Sequence, residues 1–294
     1  MLSAELLGKI QRFHFMTKKK AGDLFAGSYE SAFKGRGMEF TEVREYIPGD
    51  DVRSIDWNVS ARMGRPFVKL FHEERELTVM LLLDISGSQL FGTRRKFKRE
   101  LLAEIAGMLA FIAMRTNDRV GAILFSSRVE KLIPPRKGAA HVWKLIKEIF
   151  TLEPRDPRTD VSKALDCLNM VSRRHTIAFL ASDTCDISLK HQLTMTARRH
   201  SLSMLMISDP AEYSLPDAGV ITARDPETGE ITRINTGSRR FREQWERKRL
   251  AERKAFAGML AGAGIDHVMF STDSSVTRPL AELFRQRTGR IQAG

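Results

Sequence analysis

The strongest constraint on this chain is a set of short, wholly apolar runs separated by helix-patterned segments. Residues 77–83 read LTVMLLL, 119–125 RVGAILF, 176–181 TIAFLA and 202–207 LSMLMI. Runs this short, without polar alternation, are the pattern of strands covered on both faces. Between them, residues 96–115, 138–150, 161–170 and 188–199 predict helices. In the first, Phe97, Leu101, Ile105, Met108 and Ile112 recur at three- and four-residue steps. Residues 128–133 predict a short strand in a hairpin, and 220–223 with 230–234 predict a polar hairpin around Glu227-Thr228-Gly229. A long basic helix over 238–260, a strand over 266–270 and a closing helix over 276–287 follow. Strands alternating with helices imply an α/β fold, a doubly wound and mostly parallel sheet flanked by helices. Residues 1–76 are polar, basic and rich in turn signals. The expected division is an N-terminal extension over 1–76, docked on the sheet, and an α/β domain over 77–294.

In such a sheet, ligands bind beyond the carboxyl ends of the strands, at a topological switch point. The residues there carry oxygen. Asp84-Ile85-Ser86-Gly87-Ser88 follows the first strand, Ser182-Asp183 follows the fourth, and Arg158-Thr159-Asp160 lies in a loop leading into a helix. Two-residue spacing in an extended segment lets Asp84, Ser86 and Ser88 aim three oxygens at one point. Hard oxygen donors suit Mg²⁺, Mn²⁺ or Ca²⁺. The competing reading makes Asp and Ser turn formers or helix caps. With Thr159 and Asp183 expected at the same sheet edge, the metal reading is the better of the two.

Other chemistries find little support. No phosphate-binding G-x-x-x-x-G-K-[ST] or G-x-S-x-G elbow occurs, and Ser86 stands where a phosphoaspartate phosphatase would need its second carboxylate. Two cysteines, Cys167 and Cys185, make neither a disulfide framework nor a four-thiolate zinc site, and Cys185 reads as a packed thiol. The histidines show no ligand spacing. The net charge of +12 favours acidic partners, but the basic residues fall in short groups such as Lys18-Lys19-Lys20, without stacking aromatics. A nucleic-acid-binding face on the 238–260 helix is the alternative function. There Phe241, Trp245, Phe256 and Leu260 read as sheet-facing core. A metal-dependent hydrolase is a further alternative, with only Asp84, Asp160 and Asp183 available as a base. No apolar run is long enough for a membrane span, so a cytoplasmic protein is expected, at the inner membrane only through partners.

The pattern Asp84-x-Ser86-x-Ser88, a loop threonine and a later strand-end aspartate resembles the metal-ion-dependent adhesion site of von Willebrand factor A domains. The segment before it is more distinctive. Gly35-Arg36-Gly37-Met38-Glu39-Phe40, then the stretch from Val43 through Arg44-Glu45-Tyr46-Ile47-Pro48-Gly49-Asp50-Asp51 to Asp56-Trp57, then Ser60-Ala61-Arg62, resembles a bacterial family of unknown function. Its members are von Willebrand A-like proteins encoded beside MoxR-type AAA+ ATPases. The resemblance implies a binding module rather than an enzyme. It implies that Ser86, Ser88 and Thr159 hold a divalent cation, most simply Mg²⁺, with Asp84 and Asp183 acting through coordinated waters. With two carboxylates around the ion the site would be near neutral and open to an acidic side chain of a partner. That partner would be a MoxR-type ATPase, its substrate protein, or both, acting in protein maturation or complex assembly, with this chain a monomer when isolated. The stretch from Val43 to Arg62 reads either as a partner surface or as an ion-pair network docking the N-terminal part, with Tyr46 and Trp57 as anchors.

Overall fold

The computed structural model describes residues 23–33, 39–72, 76–93 and 95–293. The Lys18-Lys19-Lys20 run and the Gly35–Met38 part of the family motif lie outside them. The chain divides into two units, one of residues 1–33 and 77–294, the other of 34–76.

The larger unit begins with helix α1 (Asp23–Phe33). The smaller holds strand β1 (Glu39–Glu45), helix α2 (Trp57–Met63) and strand β2 (Phe67–His72). The larger then continues with β3 (Thr78–Asp84), α3 (Lys98–Arg115), β4 (Arg119–Phe125), β5 (Val129–Arg136), α4 (Ala139–Thr151), α5 (Val161–Val171), β6 (Ile177–Ser182), α6 (Lys190–Arg199) and β7 (Ser201–Ser208). A hairpin of β8 (Val220–Arg224) and β9 (Ile231–Asn235) follows, then α7 (Arg239–Gly262), β10 (Asp266–Ser271) and α8 (Thr277–Ala293).

The main sheet has the order β10-β7-β6-β3-β4-β5. Every pairing is parallel except β4 with β5, where Pro134 and Pro135 fit an edge strand. The expected doubly wound, mostly parallel sheet flanked by helices is therefore present. Alternation along each strand explains the two layers. Val79, Leu81 and Leu83 join the core formed with α1, α3, α4 and α8, whereas Met80 and Leu82 join the core formed with α5, α6 and α7. Because the chain leaves β3 toward β4 and later returns to β6 on the other side, the switch point lies between the carboxyl ends of β3 and β6.

Two expectations change. Residues 23–33 belong with the larger unit rather than with an extension running to 76. Tyr29 and Ala32 are fully buried in its core, Phe33 packs edge-on to Phe179 and Phe284, and the Arg287 guanidinium donates to the Ala32 carbonyl at 3.1 Å. Phe97, expected on the buried stripe of α3, instead precedes that helix and is half exposed.

In the smaller unit, β1 and β2 pair antiparallel. The charged residues of its motif serve local structure. Asp50 receives both Arg44 guanidinium nitrogens at 2.7 and 2.8 Å, and Asp56 caps α2 by accepting from the Asn58 and Val59 amides. Pro48-Gly49 turns the chain, with Gly49 at φ +113°. Within this unit Trp57 is 69% exposed.

Tyr29→Ala therefore lowers unfolding free energy by about 3–5 kcal/mol, as for other large core aromatics. Trp57→Ala changes it by less than about 0.5 kcal/mol. Urea denaturation followed by circular dichroism measures both. Similar losses from the two would contradict this division of the chain.

Candidate functional site

β3 ends in a carboxylate because its last residue leaves the apolar sandwich at the switch point. Asp84 is nonetheless fully buried. One carboxylate oxygen accepts from the Ser86 amide at 2.9 Å, and the other from the Ser182 hydroxyl at 2.6 Å. Among the described residues no cation pairs with it. Burial, and then the charge of Asp183, push the Asp84 carboxyl up to about 7, against the donations from Ser182 and Ser86. The chain then enters a 3₁₀ turn over Gly87–Leu90. This turn sets the Ser86 and Ser88 hydroxyls 3.0 Å apart.

Thr159 comes from a loop stapled to the β4–β5 hairpin. Ser127 donates to Asp156 at 2.8 Å, the Arg155 amide donates to Glu130 at 3.0 Å, and the Asp160 amide donates to the Ser126 carbonyl at 2.9 Å. Asp160 caps α5 through the Ser162 amide, which leaves Thr159 as the loop's contribution to the site. The Thr159 hydroxyl and amide donate to the two carboxylate oxygens of Glu227 at 2.7 and 3.2 Å. Asp183, just past β6, accepts from the Lys98 ammonium at 2.7 Å, and Lys98 also pairs with Glu212. Burial works against the charge of Lys98, but Asp183 and Glu212 outweigh it and hold its pKa above the ordinary lysine value. The Glu212 carboxyl is raised by its own burial despite Lys98.

The five residues expected at the site thus divide. Asp84, Ser86 and Ser88 form one connected group. Asp183 and Ser88 border a cavity of about 530 Å³, and Asp183 and Thr159 a second of about 370 Å³; Glu227 borders both. The sequence reading counted two carboxylates, whereas Glu212, Glu227 and the Lys98 ammonium stand there too. The near-neutral balance expected around an ion is replaced by a mixed-charge cluster. Lys98 carried no signal, since it lies at the start of an apolar helix. Glu227 stood in the predicted hairpin turn, 68 residues from Thr159. Among the described residues no group of three or more His, Cys, Asp or Glu is placed to hold a metal, so any ion here depends on the hydroxyls. Cys185 is half buried, and burial followed by the nearby Asp183 charge pushes its thiol up to about 11. That makes it a poor nucleophile.

The basic helix α7 is partly spoken for. Phe256 and Leu260 are in the core as expected, but Phe241 and Trp245 are only half buried. Trp245 donates to the Glu212 carbonyl at 2.9 Å and carries Arg249 over its ring at 4.8 Å.

Fold and site together define an α/β protein with an oxygen-rich cluster at the switch point of a doubly wound sheet. The chain belongs to the family described as "Protein of unknown function DUF58", matched over residues 42–255. It is 30% identical over 293 residues to the uncharacterized protein Rv1480 of Mycobacterium tuberculosis, covering 99% of this chain and 92% of that one. Among solved structures it is similar to the conserved hypothetical protein BatB from Bacteroides thetaiotaomicron, at 15% identity and a TM-score of 0.49, covering 74% of this chain and 100% of that one. It is also similar to proximal thread matrix protein 1 from the mussel byssus, with a zinc-occupied MIDAS motif, at 16% identity and a TM-score of 0.37 over 46% of this chain and 39% of that one. No described helix is long and apolar enough to cross a membrane.

Lys98→Met leaves Asp183 and Glu212 without their shared cation. At about pH 8 the variant loses roughly 2–3 kcal/mol, less than a fully buried pair because Glu212 is partly exposed. The Glu212 carboxyl, already raised by burial and now without the Lys98 charge that lowers it, takes up a proton as pH falls, which shrinks the deficit toward about pH 5. Urea denaturation at both pH values measures it, and a deficit independent of pH would contradict the assigned pairing.

Proposed function

We propose that this protein is a metal-dependent protein-interaction module working with a MoxR-type AAA+ ATPase, with that ATPase's substrate protein, or with both. The observation that carries the reading is the fully buried Asp84 carboxylate, served only by neutral donors, next to two hydroxyls 3.0 Å apart. Adjacent ligands of an octahedral ion bound at about 2.1 Å are separated by about 3 Å. A buried carboxylate without a cation is costly, and a divalent ion would relieve that cost.

In this reading the Ser86, Ser88 and Thr159 hydroxyls hold the ion, Mg²⁺ in the first instance and Mn²⁺ or Ca²⁺ otherwise. Asp84 and Asp183 orient its waters. When bound, the ion offers a coordination position to an oxygen ligand from another protein. Ser182 holds Asp84 in place from the neighbouring strand, and the Lys98 ammonium holds Asp183 in place by donating to it at 2.7 Å. The chain's described residues supply positioning and charge, and the one thiol bordering the site, Cys185, is held protonated by burial, which favours binding over catalysis.

Calorimetric titration of Mg²⁺ and Mn²⁺ into the chelator-stripped protein tests this. Saturable binding is expected in the wild type, and Asp84→Ala abolishes it. Failure of both the wild type and Glu227→Gln to bind either ion would sink the metal reading.

A further inference from the structure

The β8–β9 hairpin pairs with no other described strand and forms a separate two-stranded sheet. Such a ribbon is marginal alone in water, and its outer residues Val220 and Ile231 are about two-thirds exposed, at 66% and 67%. Its position therefore depends on contacts at its tip and base and along its half-buried inner face, where Ile221, Ala223 and Ile234 border the larger cavity with Trp245. At the base, the Thr236 and Gly237 amides donate to the Gly219 carbonyl at 2.7 and 3.2 Å, with Gly219 at φ +67°. At the tip, Asp225 accepts from the Glu227 and Thr228 amides at 2.8 and 3.0 Å, and its own amide donates to Glu230 at 2.8 Å. These bonds shape the turn without help from the rest of the protein.

That preformed turn is set down on the candidate site. The Glu227 carboxylate takes both donors of Thr159. The Pro226 carbonyl lies against Gly87, between the two serines, so closely that a Cβ at Gly87 would overlap it. Open space remains on both sides of Glu227, in the two cavities it borders. The tip thus rests on the site through one carboxylate and one backbone contact.

We infer that the hairpin tip is an internal ligand: Glu227 occupies the place of a partner's acidic side chain, and the tip lifts about its glycine base before a partner enters. The partner that replaces it presents a glutamate on a tight turn, the same chemistry as the Asp225–Glu230 tip. The choice of a carboxylate ligand rests on the metal-dependent reading above. The closure itself rests only on the contacts of Thr159 and Gly87.

Hydrogen exchange by mass spectrometry over residues 156–162 and 220–235, with no metal present, reads the closure directly. In Glu227→Gln, and separately in Gly87→Ala, exchange in both segments rises about tenfold or more over wild type, as a local opening becomes easier. Unchanged exchange in both variants overturns the closure, whatever the site binds. In a second arm, a tagged synthetic peptide of residues 222–232 is titrated in excess Mg²⁺ and followed by fluorescence anisotropy. It binds Glu227→Gln protein about tenfold more tightly than wild type, and the same peptide with Gln in place of Glu227 does not bind. Equal binding of the two peptides overturns the carboxylate as ligand. Faster exchange together with absent calorimetric metal binding supports the closure and sinks only the metal reading.

Discussion

The hydrogen bond from the Ser182 hydroxyl to Asp84 ties the two central strands together where each leaves the sheet. Both strands are apolar on two faces, so neither can turn a polar side chain toward solvent along its length. Polar groups enter only at the strand ends, and the switch point concentrates them between β3 and β6. Asp84 is buried there at a desolvation cost that two neutral donors only partly offset. Everything placed around it, from the serine turn to the Lys98 pair, answers to that single charge and its neighbour Asp183.

The framework of the larger unit was legible because its physics is local. Runs without polar alternation identified the buried strands, and three- and four-residue spacing identified most of the helices. The oxygen-bearing residues Asp84, Ser86 and Ser88 were legible too, since strand ends at a switch point are where function is sought. Residues 23–33 were not. Their three aromatics sit among polar residues, and only the surfaces they meet in the fold, on α8 and β6, show that Tyr29 and Phe33 pack into the core.

The rest of the site is tertiary in origin. Lys98 reaches Asp183 across 85 positions, and Thr159 reaches Glu227 across 68. No spacing rule links such pairs. The acidic and basic groups that set the electrostatics of the site were each visible as residues, but their meeting was not. This is why counting carboxylates near the motif gave a balance that the folded protein does not have.

Helix α1 has a consequence for how the chain reaches its native state. Tyr29 packs on Phe284, and Ala32 accepts from Arg287 across 255 positions. One wall of the core is thus built from segments synthesised far apart, and the 34–76 unit intervenes in sequence between α1 and β3. Contacts of such long range close late, because loop entropy is lost before they form. During synthesis, Tyr29 and Phe33 lack Phe284 until almost the whole sheet has emerged, so the nascent chain carries a partly uncovered aromatic face for most of its translation, a surface suited to chaperone capture.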